Sequence, residues 1–209
     1  MPGSSPTGPL LDPDTGGFCA VVLAGGTAVR LDGVDKAGVE LHGRSLLTHA
    51  LDALVDAAEV VVVGDPVPTE RPVTFCRESP RHGGPVAALL TGRDALVRAP
   101  RTLGVLAVDM PRVTAHTFRR LHDALLGEDG LDEDLDGARL VAPDGRHQLA
   151  LVLRTDRLDA VRPDHEGQHG MAMRHLLRDL RLAEVAALGE EHRDVDTWAD
   201  LRDLAEPPG

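Results

Sequence analysis

Two positively charged side chains follow a pair of glycines near the start of the chain. An apolar run that begins at Ala20 ends at Gly25 and Gly26, and Arg30 and Lys36 come next. Glycine has no Cβ, so backbone N–H groups in such a loop can approach an anion closely. A forked guanidinium and a compact ammonium beside the loop would suit a triphosphate. The alternative is a tight turn with two solvated cations.

Aspartates follow two other segments of the chain. Asp109 ends the apolar run LGVLAVD, directly before a Met-Pro pair, while Asp194 and Asp196 precede a predicted helix. Mg²⁺ in proteins commonly binds one or two carboxylates together with substrate phosphates. The pattern is therefore consistent with a Mg²⁺ site that joins Asp109 to a carboxylate of the later segment. The alternatives are a turn-forming role for Asp109 and a helix N-cap role for Asp196.

The composition limits the partners of the chain. Its 209 residues carry a net charge of −12, and only 2% are aromatic. Nucleic acid is not an expected partner, because the chain lacks an excess of basic residues and has few rings on which bases could stack. The same charge disfavours anionic membranes, and no apolar run is long enough to span one. A small nucleotide that brings its own Mg²⁺ is compatible with these limits.

The two cysteines indicate the compartment. Cys19 and Cys76 each lie within an apolar run, and their spacing matches no metal-binding motif. We expect them to be buried free thiols. Free thiols are typical of a reducing environment, so a cytoplasmic protein is expected.

Runs of β-branched residues alternate with helical patterns up to about residue 127. This alternation predicts a single three-layer α/β/α domain over residues 17–206, with a mostly parallel, Rossmann-like sheet. Residues 1–16 are predicted to be a disordered tail, and the acidic residues 127–137 a solvated loop. Ligands of open α/β sheets bind outside the carboxyl ends of the strands. The glycine pair and the aspartates fall at such strand ends.

Several motifs, in order along the chain, carry a family resemblance. They are LAGGTAVRLDGVDKA from Leu23, GGPVAAL from Gly83, VDMP from Val108, GRHQLALVL from Gly145 and DVDTWADL from Asp194. Over about residues 18–205 they resemble the molybdenum cofactor guanylyltransferases and related MobA-like nucleotidyltransferases. The resemblance implies the fold of the nucleotide-diphospho-sugar transferases.

The resemblance also implies roles for the matched residues. The nucleotide would contact Leu23, Ala24, Gly25, Gly26, Lys36, Glu78, Gly84, Pro85 and Asp109. Arg30, Lys36 and Asp109 would act in catalysis, with the two cations at the phosphates. Mg²⁺ would bind Asp109 and Asp196, with Asp194 beside them. Glu78 stands where the family usually has aspartate.

The implied activity is a Mg²⁺-dependent transfer of a nucleoside monophosphate from GTP to a phosphorylated acceptor, molybdopterin, with release of pyrophosphate. Such an enzyme is also expected to dock transiently to the enzyme that receives its product. Two alternatives stay open. The stretch DVDT from Asp194 also resembles cytidylyltransferases of the same fold, which use CTP. Asp32, an acid close to the expected phosphates, and the lack of the family's Pro near Gln148 would fit a nucleotide-binding accessory protein without transfer activity.

Overall fold

The computed structural model of the chain describes residues 18–25, 34–127 and 130–206. Within these ranges the β-strands are β1 Cys19–Leu23, β2 Glu40–Leu41, β3 Arg44–Ser45, β4 Glu59–Val63, β5 Thr74–Cys76, β6 Thr102–Ala107, β7 Leu126–Gly127, β8 Gly130–Leu131, β9 Gly137–Val141, β10 His147–Arg154 and β11 Leu182–Ala186. The α-helices are α1 Leu46–Ala53, α2 Pro85–Asp94, α3 Ala115–Asp123, α4 Thr155–Ala160, α5 Met173–Leu176 and α6 Trp198–Ala205. Short 3-10 helices span Lys36–Gly38 and Leu177–Asp179.

A sheet of seven strands forms the centre of the fold, in the order β11-β9-β10-β6-β1-β4-β5. β1 pairs in parallel with β4 and β6, β4 pairs in parallel with β5, and β9 with β11. Among the described strands of this sheet, β10 is the one that runs antiparallel to its neighbours, β6 and β9. The prediction of a mostly parallel α/β sheet is therefore confirmed.

Both faces of the sheet are covered, which explains why β1 is an unbroken apolar run. Successive side chains of a strand point to opposite faces. Ala20 and Val22 belong to the core on the side of α1, α3 and α6, whereas Cys19 and Val21 belong to the core on the side of α2, α4 and α5. The predicted three-layer arrangement is confirmed.

The register of the central strands brings three chain segments to one edge. Leu23, the last residue of β1, lies opposite Val63 at the end of β4 and Ala107 at the end of β6. Because these strands are parallel, the chain leaves all three at the same edge of the sheet. The glycine loop and Asp109 therefore come together, as expected for the ligand site of an open α/β sheet.

The acidic segment 127–137 is not a solvated loop throughout. It contains β8, and Asp136 is buried, with 7% of its surface exposed. Asp136 Oδ2 accepts the N–H of Arg181 at 2.8 Å, and Asp136 Oδ1 lies 3.3 Å from Arg157 Nε. The prediction is wrong at this residue, because its carboxylate joins the start of β9 to the start of β11.

Three smaller predictions concern the thiols, the tail and the membrane. Cys19 is buried and Cys76 is partly buried, and neither forms a disulfide bond. The predicted tail, residues 1–16, lies outside the described residues. Among the helices that the structure describes, none is long and apolar enough to cross a membrane.

Candidate active site

A cleft of about 910 Å³ opens at this edge of the sheet. The residues predicted to bind a nucleotide that line it are Leu23, Ala24, Gly25, Glu78, Gly84, Pro85 and Asp109. Its volume falls in the range of small-molecule sites, roughly 300–1,000 Å³. Residues from three separate motifs of the sequence, together with Glu78, therefore share one surface large enough for a nucleotide.

The backbone of the glycine loop is less free than the sequence suggests. The N–H groups of Ala24 and Gly25 both donate to Val63 O, at 2.9 and 2.8 Å. The expectation that the loop offers free N–H donors is therefore wrong for these two residues. Among the described residues, a Cβ at Gly25 would meet Val63 O at 3.6 Å, which is an ordinary van der Waals contact. Outside the described residues lie Gly26, Arg30 and Asp32.

Lys36 contacts two of the three aspartates that were predicted to bind metal, Asp109 and Asp196. It begins a 3-10 helix whose N-cap, Asp35, accepts the N–H of Ala37 through its side chain at 3.1 Å. Lys36 Nζ donates to Asp109 Oδ2 at 2.9 Å and to Asp196 Oδ1 at 2.8 Å. Two carboxylates therefore converge on one ammonium. The sequence predicts all three residues at the site, but not this contact between them.

Backbone and side-chain hydrogen bonds hold the segment that carries Asp196. Val195 is fully buried, and its N–H donates to Asp109 O at 2.8 Å. Asp200 Oδ2 accepts the N–H of Asp196 at 3.1 Å and that of Thr197 at 2.7 Å. Thr197 is the N-cap of α6, so the alternative that Asp196 caps this helix is wrong. The carboxylate of Asp196 is thereby left to bind a cation.

Burial and charge act in opposite directions on these side chains. Burial disfavours the ammonium of Lys36, but its hydrogen bond to Asp196 and the charge of Asp109 outweigh this and raise the pKa of Lys36. Burial raises the pKa of Asp109 against the attraction of Lys36. The negative charges of Asp194 and Asp196 raise the pKa of Asp109 further. An additional positive charge would relieve this repulsion.

Of the three predicted metal ligands, Asp109 and Asp196 contact the same cation, Lys36. Asp194 is exposed and affects Asp109 through its charge. In the part of the chain that the structure describes, no group of three or more His, Cys, Asp or Glu side chains is arranged to hold a metal ion. Mg²⁺ commonly takes one or two protein carboxylates and completes its shell with phosphates and water. Asp109 and Asp196 fit this requirement, because both already reach one cation, the ammonium of Lys36.

Sequence reasoning missed a second group of charged residues in the cleft. Arg77 Nη2 lies 2.7 Å from Asp65 Oδ1, and both residues line the cleft together with Arg81 and His82. His82 has φ of +57°, which is uncommon for a residue other than glycine. Asp65 and Arg77 shortly follow the ends of β4 and β5, so the rule that places ligands at strand ends would have identified them.

Comparison with known proteins gives a family match over most of the chain. The family described as MobA-like NTP transferase domain matches residues 20–193. A molybdenum cofactor guanylyltransferase of Acidiphilium cryptum is 41% identical over 206 residues, which cover 94% of this chain and 98% of that relative.

Solved structures give the same fold at lower identity. The molybdopterin-guanine dinucleotide biosynthesis protein A of Archaeoglobus fulgidus superposes with a TM-score of 0.64 at 18% identity, over 89% of this chain and 96% of its own. The 2-C-methyl-D-erythritol 4-phosphate cytidylyltransferase of Thermus thermophilus has a TM-score of 0.64 at 19% identity, over 88% of this chain and 96% of its own. At these identities the likeness concerns the fold alone.

Proposed function

The chain belongs to the MobA-like NTP transferase domain family and is a nucleotidyltransferase, and from this premise we propose that it transfers GMP from GTP to the phosphate of molybdopterin. The observation that carries the proposal is the convergence of Asp109 and Asp196 on Lys36, with Asp109 lining a nucleotide-sized cleft. The guanylyl donor and the molybdopterin acceptor are taken from the relative that is 41% identical over 94% of this chain.

The carboxylate pair fits a divalent cation. Asp109 and Asp196 already share a positive charge, and burial together with the neighbouring carboxylates raises the pKa of Asp109, so its ionised form would gain from a stronger cation. We take Mg²⁺ as the ion, because carboxylates and phosphates are the ligands that it prefers. When bound, Mg²⁺ would neutralise charge on the phosphates of the nucleotide and the acceptor.

The chain's own residues would bind and orient the reactants. Gly25 has no side chain that would keep the nucleotide away from the strand end, and Glu78, Gly84 and Pro85 line the same cleft. An oxygen of the acceptor's phosphate attacks the α-phosphorus of GTP, the bond from that phosphorus to the bridging oxygen breaks, and pyrophosphate leaves with the electron pair. Lys36 would neutralise the charge on the departing pyrophosphate. Phosphoryl transfer of this kind depends on positioning and electrostatics more than on acid–base chemistry.

GTP is preferred over CTP as the proposed donor. The relative with the widest coverage among those described above is a guanylyltransferase. The likeness to the cytidylyltransferase, at 19% identity, supports a common fold and says nothing further about the base. Arg30 at the phosphates, a cytoplasmic location and transient docking to a receiving enzyme stay predictions from the sequence.

Calorimetric titration with nucleotides tests the donor. The protein is titrated with GTP, CTP and ATP in the presence of Mg²⁺, as wild type and as Asp109→Asn. We expect GTP to bind at least about tenfold more tightly than the other two, a difference of about 1.4 kcal/mol. Asp109→Asn is expected to remove the part of the affinity that depends on Mg²⁺.

Asp56→Asn is the matched control for this titration. Asp56 forms a surface ion pair with Arg119, with 42% of its side chain exposed, so the variant loses the same charge at a distant surface. It is expected to bind GTP like the wild type. Tighter binding of CTP than of GTP would overturn the proposed donor.

A further inference from the structure

We infer that the ammonium of Lys36 and the divalent cation use the same position between Asp109 and Asp196, so that Lys36 leaves the two aspartates when the metal binds together with the nucleotide. The inference rests on the proposed function, because it concerns the metal and nucleotide of the same reaction. It adds to that function an exchange between the ammonium and the divalent cation. It also implies that the metal binds weakly until the nucleotide is present.

The first support is the geometry of the ammonium. Lys36 Nζ lies 2.9 Å from one oxygen of Asp109 and 2.8 Å from one oxygen of Asp196. A divalent ion shared by the two residues would also need carboxylate oxygens from both of them. An ammonium within hydrogen-bond distance of both oxygens stands where such an ion would be. The two cations cannot occupy this position together, because their like charges would repel each other strongly at such a distance.

The second support is the choice of residue. The chain has 22 Lys and Arg residues, and Lys36 is its only lysine. An ammonium is a compact point charge with rotatable donors on a flexible stem, whereas a guanidinium is a broad planar fork. A point charge can imitate a metal ion between two carboxylates and can also move as the metal arrives. The single use of lysine at this position is consistent with both requirements.

The third support is the place to which Lys36 can move. Val34 and Asp35, directly before it in the chain, line the cleft, as does Asp109. Only 18% of the Lys36 side chain is exposed while it is paired. A rotation of its stem into the cleft would bring Nζ to the phosphates of a bound nucleotide. The paired and the phosphate-bound positions of Lys36 would then be two states of the same side chain.

A consequence is that the metal binds weakly without the nucleotide. In the free protein the metal must displace an ammonium held by two charged hydrogen bonds. With the nucleotide present, the displaced ammonium gains phosphate contacts in exchange. Removal of the ammonium should therefore strengthen the binding of metal alone, although the same change weakens transfer.

Mn²⁺ binding without nucleotide tests this consequence. The full chain is titrated with Mn²⁺ alone, and the free ion is measured by electron paramagnetic resonance. We expect Lys36→Met to bind Mn²⁺ about tenfold more tightly than the wild type, because a full positive charge next to the ion is removed. The control Arg119→Met removes the same charge from a surface pair and is expected to bind Mn²⁺ like the wild type. Equal or weaker binding by Lys36→Met would overturn the exchange, as would a failure of both proteins to bind Mn²⁺.

A measurement on the wild type covers the case in which Lys36→Met does not fold. Incorporation of ¹⁵N-lysine gives one side-chain ammonium signal in the NMR spectrum, because Lys36 is the only lysine. Mg²⁺ is added with a non-hydrolysable GTP analogue, and binding is followed through the fluorescence of Trp198, the single tryptophan, two residues from Asp196. We expect the ammonium signal to shift as the complex forms. A complex that forms while this signal stays unchanged would contradict the exchange.

These tests separate the exchange from the proposed function. The Mn²⁺ titration needs neither nucleotide nor turnover, so it can succeed in a protein that does not transfer GMP. Conversely, the wild type could transfer GMP while Lys36→Met binds Mn²⁺ with the same affinity as the wild type. That result would agree with the proposed function and contradict the exchange.

Discussion

The parallel strands β5, β4, β1 and β6 hold Asp109 by apolar packing, whereas the segment that carries Asp196 also depends on hydrogen bonds to the side chains of Glu191 and Asp200. Around Asp109 the sheet is lined by fully buried aliphatic residues such as Val22 and Leu106. The segment before Asp196 is fixed by Glu191, 7% exposed, which accepts from Thr117 Oγ1 at 2.6 Å and from the N–H of Leu188 at 2.7 Å.

The difference shows how one site combines two kinds of support. Apolar packing is spread over many contacts and tolerates the loss of one, while a polar anchor concentrates its effect in a single side chain. Asp109 should therefore keep its position in variants in which the segment that carries Asp196 loses its hydrogen bonds.

Replacement of Glu191 should have the largest effect. Glu191→Ala leaves Arg120 and Thr117 without their buried acceptor, since Glu191 pairs with both. We expect the free energy of unfolding to fall by about 3–5 kcal/mol, as for other broken buried ion pairs. Chemical denaturation measures this change.

The neighbouring Glu190 provides the control. Glu190→Ala removes an exposed pair with Arg193, at 2.8 Å, and is expected to cost at most about 1 kcal/mol. Similar losses in the two variants would show that residues 187–206 are not held by the buried carboxylate.

A methyl group at Gly104 tests the apolar side. A Cβ at this position would lie 2.4 Å from Phe18 Cε2 and 3.2 Å from Phe118 Cε1. Gly104→Ala should therefore lower the free energy of unfolding by about 1–3 kcal/mol through overpacking. Gly38→Ala serves as the control, because no atom of the described residues lies within 4 Å of a Cβ at this position. A Gly104→Ala protein as stable as the wild type would mean that the rings move aside at no cost.

Asp200 supports Asp196 without contacting Lys36. Asp200→Ala removes the acceptor for the N–H groups of Asp196 and Thr197. We expect a loss of about 1 kcal/mol of stability, typical of a helix cap, and a lower transfer rate because Asp196 is less well positioned. Asp203→Ala, an exposed change in the same helix, is the control. Unchanged transfer by a destabilised Asp200→Ala protein would argue against a positioning role.

The buried His122 gives a pH dependence of stability. Burial lowers its pKa below the ordinary value of 6.5, against the hydrogen bond to Phe118 O and the charges of Asp123 and Asp56. The unfolded chain therefore binds a proton at higher pH than the folded chain does. The free energy of unfolding should fall as the pH drops below about 6.5, by at most about 1.4 kcal/mol per pH unit.

Denaturation of His122→Gln between pH 7.5 and 5 checks this expectation. The variant should lose part of the decline in stability that the wild type shows over this range. His116→Gln removes an exposed histidine from the same helix and serves as the control. Identical slopes for the wild type and His122→Gln would contradict a lowered pKa.

The contrast between the two regions also explains what the sequence could predict. The strands that hold Asp109 are visible as apolar runs, because a strand covered on both faces needs no polar residue. The short helix α4 and the edge strand β11 are not visible in this way, since β11 is only half-buried and contains Glu184. From the sequence alone, Asp136 and Glu191 look like acidic residues of the surface. Only the tertiary structure shows that both are buried and connect separate segments of the chain.

The sequence could predict which residues form the site, but not which of them contact one another. Lys36, Asp109 and Asp196 could be named from motifs, because each follows a recognisable segment. The contact from Lys36 to Asp196 joins residues 160 positions apart, so it depends on how the last segment folds back over β6. No local pattern contains that information.

Transfer of GMP is the most direct test of the central claim. The protein is incubated with GTP, molybdopterin and Mg²⁺, and both pyrophosphate and the nucleotide conjugate are measured by mass spectrometry. The expected result is one pyrophosphate for each GMP conjugate, with the rate reduced about 100-fold or more in Asp109→Asn. Formation of no conjugate by a wild type that binds GTP and Mg²⁺, or an equal rate in Asp109→Asn, would contradict the account.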